Sequence, residues 1–146
     1  MRAIVQRVSE ASVSVGGRII AKIGPGLVLL VGVHREDQAA DAQRLARRIA
    51  NLRIIADAEG KMNLSLLDSP GQVLAVSNFT VFGEAGKSRR PSFTASAPYS
   101  EAETLFETFV AELRLAGLDV LTGEFGAMME VALTNSGPVT LVVESH

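Results

Sequence analysis

The chain has 146 residues, 47% of them hydrophobic and 21% charged, with no cysteine, two histidines and a formal net charge of −2. That length and apolar content suit a single domain with a real core, and the lack of cysteine removes disulfides, thiolate nucleophiles and thiolate metal sites. No apolar run approaches the ~18 residues that cross a bilayer, and the start MRAIVQRV lacks a signal peptide's apolar core, so a cytoplasmic protein is expected.

The first third reads as strands: AIVQRV, ASVSV, a tight turn at Gly16-Gly17, RIIAKI and, after Gly24-Pro25-Gly26, LVLLVGV. Their spacing predicts a meander. LVLLVGV does not alternate, which predicts burial on both faces. From Asp37 the period becomes helical, with Ala42, Leu45, Ala46 and Ile49 on one face. NLRII, the loop DAEGK and the ambiguous KMNLSLLDSPG lead into a strand, VLAVSNF. The polar stretch GEAGKSRRPSFTASAP is too long to be a mere connector. Ser100 and Glu103 predict a capping box for a second helix with Ala102, Leu105, Phe106, Phe109, Val110 and Leu113 on its apolar stripe and Gly117 as its stop. DVLTGEF, MMEVALT and VTLVVES complete the chain as strands. The sum is an α+β fold, sheet-rich and barrel-like, one domain over residues 1–146 with two main amphipathic helices. Exposed sheet edges need cover, and self-association into a homodimer supplies it.

Neither His34 nor His146 has a context that suggests a nucleophile beside it, there is no Walker loop, and GVHRED matches no metal motif. No metal or cofactor is expected, so the chemistry falls to oxygen atoms, cations and the backbone. Two segments stand out. Ser77-Asn78-Phe79-Thr80 ends an apolar strand, where hydroxyls and free amides can face a ligand; an ordinary strand-to-loop junction reads the same way. Gly137-Pro138, in TNSGPVT, interrupts the last strand pattern, because proline cannot donate to a ladder and glycine weakens one. That marks an edge kink, a bend or a place where backbone meets a ligand. Positive charge gathers at Lys87, Arg89 and Arg90 and again at Arg44, Arg47, Arg48 and Arg53; solvated surface and phosphate contact both fit.

MRAIVQRV, GLVLLVGV, AVSNFT, KSRRPSF, TGEFGAMMEV and NSGPVT, in this order and nearly end to end, resemble the D-aminoacyl-tRNA deacylases, which edit mischarged tRNA. The resemblance implies a homodimer in which a cis Gly137-Pro138 of one subunit enters the partner's active site, its carbonyls meeting the substrate's α-amino group. Rigid backbone there would exclude any L side chain and admit D residues and glycine, including glycine mischarged on alanine tRNA. It implies tRNA as the partner, with neither DNA nor membrane. Phe125 and Met129 match family positions near the terminal adenosine, although core packing explains them equally, and Lys87, Arg89 and Arg90 match phosphate contacts. An ester is reactive enough that positioning and an oxyanion site can suffice, so amides near Phe79 and Thr80 are expected to hold the oxyanion. Water, assisted by the ribose hydroxyl, attacks, with Ser77 and Thr80 orienting groups; the other route is direct attack by Thr80. One residue departs from the family pattern: Asn78 stands where glutamine is usual, one methylene shorter. A non-catalytic dimeric binder of tRNA ends and a deacylase of relaxed chirality are the competing readings.

Overall fold

The protein is described by a computed structural model covering residues 1–86 and 89–146; Lys87, one of the expected phosphate contacts, lies outside the described residues. AIVQRV and ASVSV form one strand, β1 (Arg2–Val15). Gly16 and Gly17, at φ +58° and +78°, turn it into β2 (Arg18–Ile23), which leads to β3 (Gly26–Gly32). Ile23 lies opposite Ala11 and Gly26 opposite Val8. β2 and β3 therefore keep one register and are successive halves of a single arm, parted by Gly24-Pro25. The expected meander is instead one long hairpin, because the Gly-Pro step interrupts the arm without reversing it.

β6 (Gln72–Ser77) runs parallel to β3, and β7 (Val120–Thr122) runs parallel to β6. The other edge of β1 carries β8 (Glu130–Glu144), antiparallel along almost its whole length. The non-alternating LVLLVGV is buried on both faces, as its sequence predicts. Leu27, Leu29 and Val31 join the layer under the helices, while Val28 joins Val8, Ala11, Val13, Ala21, Ile23, Leu74 and Val76 inside the curl of the sheet. The inward side switches along β1: Ala3 and Val5 face the helices, whereas Val8, Ala11 and Val13 face the inner layer. A bulge at Ser9, between the pairs Val8↔Asn135 and Glu10↔Thr134, makes part of that switch. β2 packs back against β6 and β7, giving the barrel-like form.

Two helices cover the outer layer. In α1 (Ala39–Ala50) the predicted stripe of Ala42, Leu45, Ala46 and Ile49 is buried. In α2 (Tyr99–Leu115) Phe106, Phe109, Val110 and Leu113 are buried. α2 begins directly after Pro98, whose φ of −56° is already near the helical value. Ser100 therefore lies within the first turn, where its carbonyl accepts the Thr104 hydroxyl at 3.0 Å, and no side-chain cap forms. The helix stops at Gly117 (φ +105°), with the Leu118 amide donating to the Leu113 carbonyl at 3.2 Å. KMNLSLLDSPG resolves into β5 (Met62–Leu64), paired with β4 (Ile55–Ala56), and a turn held by Asp68, which accepts from the Ser65 amide and hydroxyl at 2.9 and 2.7 Å. None of the described helices is long and apolar enough to cross a membrane.

Candidate active site

The end of β6 opens into a cavity of about 550 Å³, within the size range of small-ligand sites. Asn78 hands the strand to a 3₁₀ turn, Phe79–Phe82. The turn lies close against the end of β3 because residue 32 is glycine; a Cβ there would sit 2.9 Å from the Cβ of Val81. Ser77, Asn78 and Phe79 line the cavity from this side, Phe125 and Met129 from the β7–β8 connection, and Phe93, Ser96 and Tyr99 from the long loop and the start of α2. Aromatic contacts tie the walls: Phe79 meets Phe93 edge-on at 5.2 Å, and Tyr99 meets Phe125 at 5.0 Å. The Ser96 hydroxyl donates to the Phe79 carbonyl at 2.8 Å and fixes the loop to the 3₁₀ turn.

The lining contains no carboxylate, histidine, lysine or arginine among the described residues. It supplies amides, hydroxyls and aromatic surface. As the first residue of its turn, Phe79 has an amide without an intrahelical acceptor, and none is provided elsewhere among the described residues. The next amide differs. Asn78 Oδ1 accepts both the Thr80 amide, at 3.1 Å, and the Thr80 hydroxyl, at 2.5 Å. Thr80 itself is exposed and does not line the cavity.

Gly137 and Pro138 are not in the cavity either. They belong to a wide bulge of β8: Gln6 pairs with Thr140 and Val8 with Asn135, so Ser136 to Val139 oppose Arg7 alone. The Gly137-Pro138 peptide is cis and Gly137 has φ +129°. Arg7 buttresses the bulge, donating from Nε to the Ser136 carbonyl at 3.0 Å and from Nη1 to the Ile54 carbonyl at 2.7 Å. Asn135 closes it, with Oδ1 accepting the Val139 amide at 3.0 Å. The bulge is exposed at Gly137 and Pro138.

Among the described residues, Asp37, Asp41 and His146 bring potential metal-binding atoms within 4.8 Å of one another, a convergence the separation of the two histidines in sequence did not suggest. Asp37 of this cluster is already engaged by groups outside it, accepting the Met1 ammonium at 2.5 Å and the His34 backbone amide at 2.6 Å. Burial opposes ionisation of Asp41. The Gln38 amide and the charges of His146, the Met1 ammonium and Arg44 outweigh it and hold the carboxyl below its ordinary value.

The family model for D-Tyr-tRNA(Tyr) deacylase matches residues 4–144. The chain belongs to this deacylase family. A D-aminoacyl-tRNA deacylase of Brevibacillus brevis is 54% identical over 145 residues, covering 99% of this chain and 100% of that one; one from Thermus aquaticus is 52% identical, covering 99% and 95%. Among solved structures, a c-Myc DNA Unwinding Element Binding Protein superposes with a TM-score of 0.92 at 38% identity, over 99% of this chain and 98% of the other. A probable eukaryotic D-amino acid tRNA deacylase shares the fold, with a TM-score of 0.82 at 17% identity over 98% of both chains.

Of the residues the deacylase resemblance singles out, Ser77, Asn78, Phe79, Phe125 and Met129 meet in one cavity. Thr80, Gly137 and Pro138 lie outside its lining, and Arg89 and Arg90 are exposed on the long loop. Sequence reasoning missed Ser96 and Tyr99 as site residues, and read Phe106 only as helix stripe although it reaches the cavity from α2. The signal available for Ser96 was the unusual length of its loop; Tyr99, a single aromatic at a helix start, gave none.

Proposed function

We propose that this protein is a D-aminoacyl-tRNA deacylase that acts as a cytoplasmic homodimer and hydrolyses the ester of D-aminoacyl- and glycyl-tRNA while sparing L-aminoacyl-tRNA. The observation that carries the reading is a deacylase family match over residues 4–144 whose strand-end motif opens a largely apolar cavity with no carboxylate, histidine, lysine or arginine in its lining among the described residues. Such a cavity suits a substrate whose ester is already reactive, because binding and orientation then supply much of the acceleration. The Phe79 amide is the oxyanion donor in this scheme, since Asn78 occupies the Thr80 amide and the expected pair of donors narrows to one. Thr80 is a poor nucleophile: its hydroxyl proton is already given to Asn78, and among the described residues no histidine or carboxylate lines the cavity to act as base. Water is the attacking group, assisted by the neighbouring ribose hydroxyl, and Ser77 helps to order it. Phe125 and Met129 hold the terminal adenosine. Arg89, Arg90 and Lys87 meet phosphates.

The position of Gly137-Pro138 supports a site completed by a second subunit. Within one chain the bulge is exposed and away from the cavity, so it serves as a chirality gauge only by entering the partner's. Its Gly137 and Pro138 carbonyls would then receive the substrate's α-amino group, and backbone would stand where an L side chain must go. The deciding assay measures amino-acid release from D-tyrosyl-, L-tyrosyl- and glycyl-tRNA. Loss of the D and glycyl esters with the L ester spared is expected; cleavage of all three would mean relaxed chirality.

One observation favours a second reading, a dimer that binds tRNA ends without turnover: Asn78 removes an amide that could have held the oxyanion. Stoichiometric binding of charged tRNA, with release no faster than the uncatalysed rate, would establish it.

A further inference from the structure

The cavity of about 550 Å³ has room for one acylated nucleoside. On the deacylase reading, which this inference deepens, the RNA strand must leave the cavity at its rim, where the preceding nucleotide is single-stranded. Exposed aromatic rings hold such bases without reading their identity. We propose that Phe93, with Phe79, forms a stacking subsite for the nucleotide that precedes the terminal adenosine.

Several observations converge on this pair. Phe93 and Phe79 line the cavity and yet remain 36% and 59% exposed, which places them at its mouth. Their rings meet at 71° with centroids 5.2 Å apart, so a base lying on one ring meets the other at a corner. The Phe93 ring rests on the backbone of Gly83, where a Cβ would come within 2.7 Å of its Cε1. The loop that carries it is held at several points: Glu84 and Ser92 exchange both backbone hydrogen bonds at 2.9 Å, the Arg35 amide donates to the Ala95 carbonyl at 3.0 Å, and the Ala97 amide to the Val33 carbonyl at 2.9 Å. A large apolar side chain is thus held at the surface by a built support. Arg89 and Arg90 are exposed on the same loop, a few residues before Phe93, so cations for the backbone and a ring for the base come from one segment. Core packing does not account for Phe93, which belongs to neither buried cluster.

The test uses a short oligoribonucleotide with a free 3′ end and the fluorescent base 2-aminopurine at its penultimate or its terminal position. Wild-type protein should quench the penultimate probe. Phe93→Ala should abolish that quench and weaken binding about tenfold, in line with the worth of one stacked base, while Phe93→Tyr should restore both. Persistence of the penultimate quench in Phe93→Ala overturns the proposal. So does equal loss at both positions, which would make Phe93 a wall of the cavity alone. D-Tyrosyl-tRNA hydrolysis by the wild-type protein is measured alongside. A quench without hydrolysis sinks the deacylase reading and leaves the subsite; hydrolysis without a penultimate quench does the reverse.

Discussion

Asn78 stands where the deacylase resemblance implies glutamine, and its side chain makes a local contact of its own. Its side-chain oxygen reaches two residues ahead, to the amide and hydroxyl of Thr80, in the manner of an Asx turn. Asn78→Ala should therefore lower stability by about 1 kcal/mol, the usual worth of a cap, readable as a shift in denaturant midpoint. Thr80→Ala should keep deacylation within about tenfold of wild type, since removing a positioned orienting group costs far less than removing a nucleophile; a drop of several orders of magnitude would restore Thr80 as the attacking group. Gly137→Ala meets two obstacles. The backbone at φ +129° disfavours any side chain, and the new Cβ would lie 2.9 Å from both Arg7 Nη2 and Val139 Cγ2. D-Tyrosyl-tRNA hydrolysis should fall, or L-tyrosyl-tRNA should begin to be cleaved; rates identical to wild type on both esters would remove the bulge from the site. SNFT and NSGP were legible as candidates because hydroxyls, amides and Gly-Pro break apolar strand patterns. The capture of the Thr80 amide by Asn78 was not, because a two-residue side-chain hydrogen bond leaves no trace in composition or period.

At the scale of elements, the helix faces were readable because their periods coincide with burial, and LVLLVGV because a strand packed on both sides has no polar face to alternate. What failed was connectivity and capping. Gly24-Pro25 looks like a reversal but interrupts a straight arm, and Pro98 starts α2 ahead of the Ser100 that resembled its cap. α1 also carries a titratable group with a shifted pKa. Asp41, in its first turn, is held below the ordinary carboxylate value, so its stabilising contribution is complete above the unfolded pKa of about 3.9. That contribution is lost as pH falls through the lower folded value. Melting temperatures taken downward from about pH 5 should decline more steeply for the wild type than for Asp41→Asn, and parallel curves would show that the Gln38, His146 and Arg44 contacts do not stabilise the ionised form.

At the scale of the whole molecule, β8 pairs on one edge only among the described residues, to β1, with Leu141 and Val142 exposed at 39% and 62%. An open edge beside exposed apolar side chains invites a second copy, and light scattering should give the mass of a dimer at assay concentrations. A monomer that still discriminates D from L esters would end the cross-subunit scheme. The bulge of β8 has a further consequence. Strand pairing resumes on both sides of Ser136 to Val139, so the length and shape of this projection are set apart from the registers that hold the fold. Selection can lengthen, shorten or reshape the tip and leave the sheet that carries it in place. If this projection is the chirality gauge proposed above, the stringency of proofreading can drift or sharpen through a few residues while the paired registers on either side stay as they are.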